Sequence, residues 1–107
     1  MKKYLLLFFC FIFIGCTSPA DESHQMSVII FKIGKADSIL ISYHGHHVLI
    51  DTGQDEDAEE ILTYLQKNRI AKLHALIITH FDKDHVGGAD KIVENIDIDN
   101  IYTANYI

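Results

Sequence analysis

The stretch Thr79-His80-Phe81-Asp82-Lys83-Asp84-His85-Val86-Gly87-Gly88 carries the strongest signal in the sequence. The apolar, β-rich run of residues 73–79 that leads into it is too short for a helix and predicts a buried strand. Residues 80–85 crowd imidazole and carboxylate side chains together. Such side chains repel one another and lose hydration unless a cation neutralises them. The sequence therefore predicts a metal site in the polar loop after this strand. Its predicted ligands are His80, Asp82, Asp84 and His85.

The ligand types narrow the choice of metal. Imidazole nitrogen and carboxylate oxygen without thiolate suit Zn²⁺, and Mn²⁺ or Fe²⁺ would also fit. His80 and Asp82 can converge on one ion as the strand ends, while Asp84 and His85 can hold a second ion on the other side of the loop. One or two ions are expected, and a plain solvated loop is the alternative.

Upstream of this loop, hydrophobic patterning predicts an α/β chain. The strands are apolar at consecutive positions and so need cover on both faces. Two helices can cover one face only, so we expect that the chain stops mid-domain or that another polypeptide supplies the missing layer. The predicted strands are residues 27–33, 37–43, 47–51, 73–79 and 98–102, and the predicted helices are residues 57–67 and 88–95, the first with a capping box from Asp57 to Glu60.

The N-terminus has the pattern of an export signal. Two lysines precede an uncharged apolar run, residues 4–14, that is shorter than the ~20 residues of a membrane-spanning helix. We predict a signal peptide over residues 1–15 and a polar tether over residues 16–26. The junction at Cys16 resembles a bacterial lipobox, which implies a lipid on the Cys16 thiol and a membrane-anchored lipoprotein on the extracytoplasmic side. An ordinary secretory signal or an uncleaved anchor is the alternative.

Charge and cysteine content limit the function classes. The formal net charge is −6, and it becomes more negative once Lys2 and Lys3 leave with the signal peptide. An acidic surface disfavours a simple cationic groove for nucleic acid. Cys10 would also leave with the signal, so no disulfide is expected in the mature chain.

Two motifs resemble a known family. The stretch from Thr79 to Gly88 resembles the His-x-His-x-Asp-His signature of the metallo-β-lactamase superfamily, in its His-x-Asp-x-Asp-His form. The segment Leu49-Ile50-Asp51-Thr52-Gly53 resembles that family's Asp-Thr-Gly strand end. Residues 31–41 are similar to the opening strands of the corresponding domain in DNA-internalisation competence proteins. That pattern is closer to Val-Gly-Gln-Gly-Asp-Ala, so Lys35 and Ala36 depart from it.

The resemblance implies a fold and roles for residues. Residues 27–107 would form the N-terminal half of an αββα sandwich, with a mixed sheet and two helices on one face. Asp84, besides binding metal, would orient the attacking water and handle its proton as the catalytic residue. Asp51 would fix the loop or a ligand imidazole through hydrogen bonds; alternatively, it simply ends a strand in a turn.

The resemblance also implies a function. We expect a metal-dependent hydrolase with a small-molecule or phosphodiester substrate, while Asp82 in place of a histidine argues against β-lactam hydrolysis. The family takes further ligands from later strands, which would follow Ile107, so this chain alone is expected to be inactive. The alternative is a catalytically silent, lipid-anchored metal-binding fragment.

Overall fold

The computed structural model describes residues 24–105. The predicted signal peptide, most of the predicted tether and the predicted lipidation site Cys16 lie outside this range. Within residues 24–105, no helix has the length and apolar character needed to cross a membrane.

Seven short strands and three helices make up the described chain. The strands are β1 (Ser27–Ile30), β2 (Ile39–Tyr43), β3 (His46–Ile50), β4 (Lys72–Leu73), β5 (Ala75–Ile78), β6 (Asp97–Ile98) and β7 (Ile101–Thr103). The helices are α1 (Ala58–Lys67), α2 (Lys83–Val86) and α3 (Ala89–Asn95), and a 3₁₀ turn (Asp55–Asp57) leads into α1.

The main sheet is mixed, with strand order β1-β2-β3-β5-β7. Antiparallel pairing joins the first three strands, and β3, β5 and β7 run parallel to one another. Strands β4 and β6 form a separate parallel pair. Because β3 and β5 are parallel neighbours, the loops that follow them emerge at the same edge of the sheet.

One face of the main sheet carries the core. Buried leucines of the central strands, such as Leu40, Leu49 and Leu76, pack with Ile61 of α1 and Ile92 of α3. The predicted α/β class, with a mixed sheet and helices on one face, is confirmed. The opposite face is apolar but less buried, with Val28 and Ile30 exposed among others.

Helix α1 ends in a Schellman motif. Arg69 adopts a left-handed conformation, with φ of 56°, and its N–H donates to Gln66 O at 3.1 Å. The N–H of Ile70 donates to Leu65 O at 2.9 Å. These bonds satisfy carbonyls that would otherwise be left open at the helix end and direct the chain towards β4.

Several element boundaries differ from prediction. The strand predicted at residues 73–79 is interrupted at His74, whose main chain and ring both bond His47. The polar loop predicted after this strand becomes helical at Lys83, where α2 starts. The predicted capping box from Asp57 to Glu60 is wrong, because the Asp57 carboxylate accepts from Gln54 N at 2.8 Å and so caps the preceding 3₁₀ turn.

Candidate metal centre

Three loops meet at the edge where β3 and β5 end. They precede β2, follow β3 and follow β5, and main-chain hydrogen bonds join them. Asp37 N donates to Asp84 O at 3.1 Å, and Gly53 N donates to Asp37 O at 3.0 Å. Thr52 N donates to His85 O at 2.7 Å. The positions of Asp37, Asp84 and His85 are therefore set by the backbone itself.

Gly88 allows the third loop to approach the second. A Cβ atom at this position would lie 2.7 Å from Thr52 O and 3.0 Å from Ala58 Cβ. The first of these distances is closer than real Cβ atoms come to a backbone oxygen, so a side chain here would push the loops apart. Glycine is the residue that permits this contact.

Donor atoms of Asp37, Asp84 and His85 converge at the junction. One ligand atom from each residue lies within 4.8 Å of the other two. His85 Nε2 lies 3.5 Å from Asp84 Oδ2 and 3.6 Å from Asp37 Oδ2. The His85 side chain is 17% exposed, Asp84 39% and Asp37 65%, so the group opens to solvent on its carboxylate side.

Asp51 holds His85 from the protein side. It is 4% exposed, and its carboxylate accepts three hydrogen bonds. Thr79 N donates to Oδ1 at 2.8 Å, Thr79 Oγ1 to Oδ2 at 2.5 Å, and His85 Nδ1 to Oδ2 at 2.9 Å. A carboxylate only accepts, so the Nδ1 of His85 carries the proton and Nε2 keeps its lone pair in the neutral ring. That lone pair faces Asp37 and Asp84.

The electrostatics of this group favour a cation. The hydrogen bond to Asp51 raises the pKa of His85 most; burial lowers it, and the charges of Asp51, Asp84 and Asp37 raise it further. A positive charge is thus stabilised where the imidazole and carboxylates meet. A divalent metal ion would supply such a positive charge. One nitrogen with two carboxylate oxygens is a donor set that binds Zn²⁺ or Mn²⁺. The residues fit a metal.

The other two predicted ligands lie nearby but outside this convergent group. The ring centroid of His80 is 4.9 Å from that of His85, and His80 Nδ1 lies 3.0 Å from Thr79 Oγ1. Asp82 is exposed and precedes α2, where its carbonyl accepts from the N–H groups of His85 and Val86 at 3.0 Å each. The metal-binding roles of His80 and Asp82 stay predictions.

Asp37 is the member of the group that sequence reasoning did not select. It was placed at the start of a strand, whereas β2 begins at Ile39, which leaves Asp37 in the loop. One signal could have identified it: Asp37 occupies the aspartate of the Val-Gly-Gln-Gly-Asp-Ala pattern that residues 31–41 resemble.

A second group of histidines lies at the opposite edge of the sheet. The ring centroids of His46 and His74 are 4.3 Å apart, His47 N donates to His74 Nδ1 at 3.1 Å, and Ser42 Oγ lies 2.7 Å from His47 Nδ1. Burial, then the proximity of His74 and His46, lowers the pKa of His47. Within residues 24–105, these rings do not form a set of three converging donor atoms.

Comparison with known proteins agrees with the geometry. A family model described as the metallo-beta-lactamase superfamily matches residues 32–107. The chain is 33% identical over 94 residues to a recombination protein 2 of Haemophilus influenzae, covering 83% of this chain and 12% of that protein. It is 29% identical over 77 residues to a competence protein ComA of Neisseria gonorrhoeae, covering 71% and 11%.

A third relative carries an enzyme name. The chain is 33% identical over 55 residues to a hydroxyacylglutathione hydrolase of Methylobacillus flagellatus, covering 51% of this chain and 20% of that protein. The chain thus spans between about a tenth and a fifth of the length of these relatives.

Proposed function

Because this chain belongs to the metallo-β-lactamase superfamily, we propose that it provides the metal-binding part of a metal-dependent hydrolase. The observation that carries the proposal is the convergence of Asp37, Asp84 and His85 donor atoms within 4.8 Å. Zn²⁺ is the proposed ion, in one or two copies. His80 and Asp82 are proposed as further ligands, since His80 lies beside His85.

The proposed chemistry assigns a role to each residue. A bound divalent ion supplies Lewis acidity, which lowers the pKa of water and polarises the scissile bond. Asp84, whose carboxylate is partly exposed beside His85, is proposed to accept and return a proton at Oδ2. Asp51 orients the His85 ring from the buried side. The main-chain hydrogen bonds between the three loops hold these side chains close together.

The relatives named above support two candidate substrate classes. Two are a recombination protein and a competence protein, which supports a phosphodiester substrate; the third is a hydrolase of hydroxyacylglutathione, which supports an acyl substrate. We favour the phosphodiester because the matches to the first two cover more of this chain. The acidic composition supports contact with nucleic acid only through the metal site, where the ion would locally reverse the sign of the charge.

Metal binding is the first test, and it uses the full 107-residue chain in mild detergent. We expect at least one tightly bound Zn²⁺ per chain after gel filtration, measured by elemental analysis. Asp84→Asn should weaken binding by about 10-fold or more, while Asp99→Asn, at the opposite edge of the sheet, should bind as the natural sequence does. A chain that retains no metal, or two variants that behave alike, would contradict the proposal.

Hydrolysis is the second test, and it uses the native gene product that contains this sequence. Bis-nitrophenyl phosphate and an acylglutathione are offered in parallel, each with and without added Zn²⁺ or Mn²⁺. Metal-dependent cleavage of the phosphodiester, reduced about 10²–10⁴-fold by Asp84→Asn, is the expected result. Metal binding without turnover of either substrate would instead identify the silent metal-binding alternative.

Export and anchoring form a separate proposal, since Cys16 lies outside the described residues. We propose that the chain is a lipoprotein held at the outer side of a bacterial membrane through Cys16. Labelled palmitate should be incorporated into the natural sequence and not into Cys16→Ala, and the natural sequence should fractionate with membranes. Label in both forms would contradict the proposal.

A further inference from the structure

Thr79 occupies the junction between β5 and the predicted ligands. It is half-buried, and it makes three contacts that join Asp51 to His80. Its N–H donates to Asp51 Oδ1 at 2.8 Å, and its hydroxyl donates to Asp51 Oδ2 at 2.5 Å. On its other side, the same hydroxyl oxygen lies 3.0 Å from His80 Nδ1.

Donor and acceptor counting determines the direction of these bonds. A hydroxyl has one proton, and here it goes to the Asp51 carboxylate, which can only accept. Towards His80 the Thr79 oxygen can therefore only accept, so His80 Nδ1 carries a proton. A neutral His80 ring then keeps its lone pair on Nε2, the nitrogen away from Thr79.

The same buried carboxylate determines the tautomer of His85. Asp51 Oδ2 accepts from His85 Nδ1 at 2.9 Å, so this ring also keeps its lone pair on Nε2. Metal ligation requires the neutral ring with a lone pair directed at the ion. Asp51 and Thr79 together thus leave the same nitrogen free in both histidines of the His-x-Asp-x-Asp-His motif.

We propose that the Thr79 hydroxyl is a positioning group that passes the orienting effect of Asp51 on to His80, so that both histidines leave Nε2 free to bind metal. This inference rests on the proposed metal-binding function. Thr79 itself touches neither ion nor substrate in this scheme. Its main-chain N–H already anchors Asp51, so the hydroxyl can be removed while that anchor stays.

The direct test reads the tautomer in the metal-free full chain by long-range ¹H–¹⁵N NMR, at a mildly alkaline pH where neutral imidazole dominates. The His80 signal is assigned by its loss in His80→Gln. The natural sequence should show His80 protonated at Nδ1. Thr79→Val should lose this preference at His80 and keep it at His85, while Thr79→Ser, which retains a hydroxyl, should match the natural sequence.

Zn²⁺ affinity gives the second measurement, by competition with a chromophoric chelator. Thr79→Val should bind about 10-fold more weakly, and Thr79→Ser should bind as the natural sequence does. A natural chain with His80 protonated at Nε2 would overturn the proposal whether or not Thr79→Val folds. So would a folded Thr79→Val with unchanged tautomer and affinity. Because the tautomer is read without metal or substrate, failure here is distinct from failure of the hydrolase proposal.

Discussion

Histidines lie at both ends of the β3–β5 strand pair, but their surroundings differ. The end where the strands finish is the first edge, and the end where they begin is the second edge. At the edge where the strands end, His85 faces three carboxylates, which raise its pKa. At the edge where they begin, partial burial lowers the pKa of His47 most, and the neighbouring His74 and His46 lower it further. Folding thus favours the charged imidazole at one edge and the neutral imidazole at the other.

Tautomers separate the two edges further. At the first edge, His85 donates from Nδ1 to Asp51 and keeps a lone pair on Nε2. At the second edge, His74 Nδ1 accepts from His47 N, so the proton of its neutral ring sits on Nε2. His74 cannot offer Nε2 to a metal without losing the hydrogen bond that its ring accepts from the His47 N–H. An acceptor at Nδ1, as at His85, thus leaves Nε2 able to bind a metal, whereas a donor at Nδ1, as at His74, does not.

The largest expected effect comes from removing the carboxylate that distinguishes the first edge. Asp51→Asn replaces with an amide the carboxylate that accepts hydrogen bonds from Thr79 and His85. The His85 ring therefore loses its fixed orientation. Zn²⁺ affinity should fall about 10–100-fold, measured by chelator competition. His74→Gln, at the second edge, is the control and should not change the affinity. Equal losses in both variants would erase the distinction drawn between the edges.

Glycine substitutions should rank next. Gly88→Ala introduces a Cβ 2.7 Å from Thr52 O and should cost about 1–3 kcal/mol in the free energy of unfolding, measured by urea denaturation. It should also weaken Zn²⁺ binding, because the loops that carry the donors separate. Gly45→Ala, in the β2–β3 turn with φ of 73° and no atom within 4 Å of the added Cβ, should cost about 1 kcal/mol. Its Zn²⁺ affinity should not change.

The two edges should respond to pH with opposite sign in the metal-free chain. The pKa of His85 is raised on folding, so its contribution to stability is present below the unfolded pKa of about 6.5 and is lost as pH rises through the folded value. The pKa of His47 is lowered on folding, so its contribution is present above about 6.5 and is lost as pH falls.

Variants of each histidine separate these contributions. Urea midpoints across this pH window, taken relative to the natural sequence, should show His85→Gln most destabilising at acidic pH and His47→Gln most destabilising at alkaline pH. Parallel profiles for the two variants would refute the electrostatic contrast. In the metal-bound chain, Zn²⁺ affinity should fall as pH drops, because the ion must displace a proton from His85.

The smallest effect is expected from a surface ion pair at the second edge. Lys72 Nζ lies 3.2 Å from Asp99 Oδ2, with both side chains nearly half exposed. Exposed pairs of this kind contribute about 0–1 kcal/mol, so Asp99→Asn should change the urea midpoint little, and less still in high salt. A loss as large as that of Gly88→Ala would show that the second edge is more tightly built than its exposure indicates.

Local patterns predicted much of the fold and part of the site. Strands β2 and β3, helix α1 and the strand before the His-x-Asp-x-Asp-His motif follow from hydrophobic patterning. Asp84 and His85 are neighbours in the chain, so their proximity was expected. The interruption at His74 was missed, since it depends on hydrogen bonds to His47. The β-strand propensity of a segment carries no information about its hydrogen-bond partners on another strand.

The sequence by itself determined the α/β class, the superfamily and the place of the metal motif after a buried strand, because these depend on residue spacing along a short stretch. Only the tertiary structure decided that Asp37 joins Asp84 and His85, and that Thr79 links Asp51 to His80. Those contacts form where parallel strands end at one sheet edge and bring loops distant in sequence within hydrogen-bonding range. The sequence thus predicted which side chains could bind metal, but only the folded sheet brings those side chains close together.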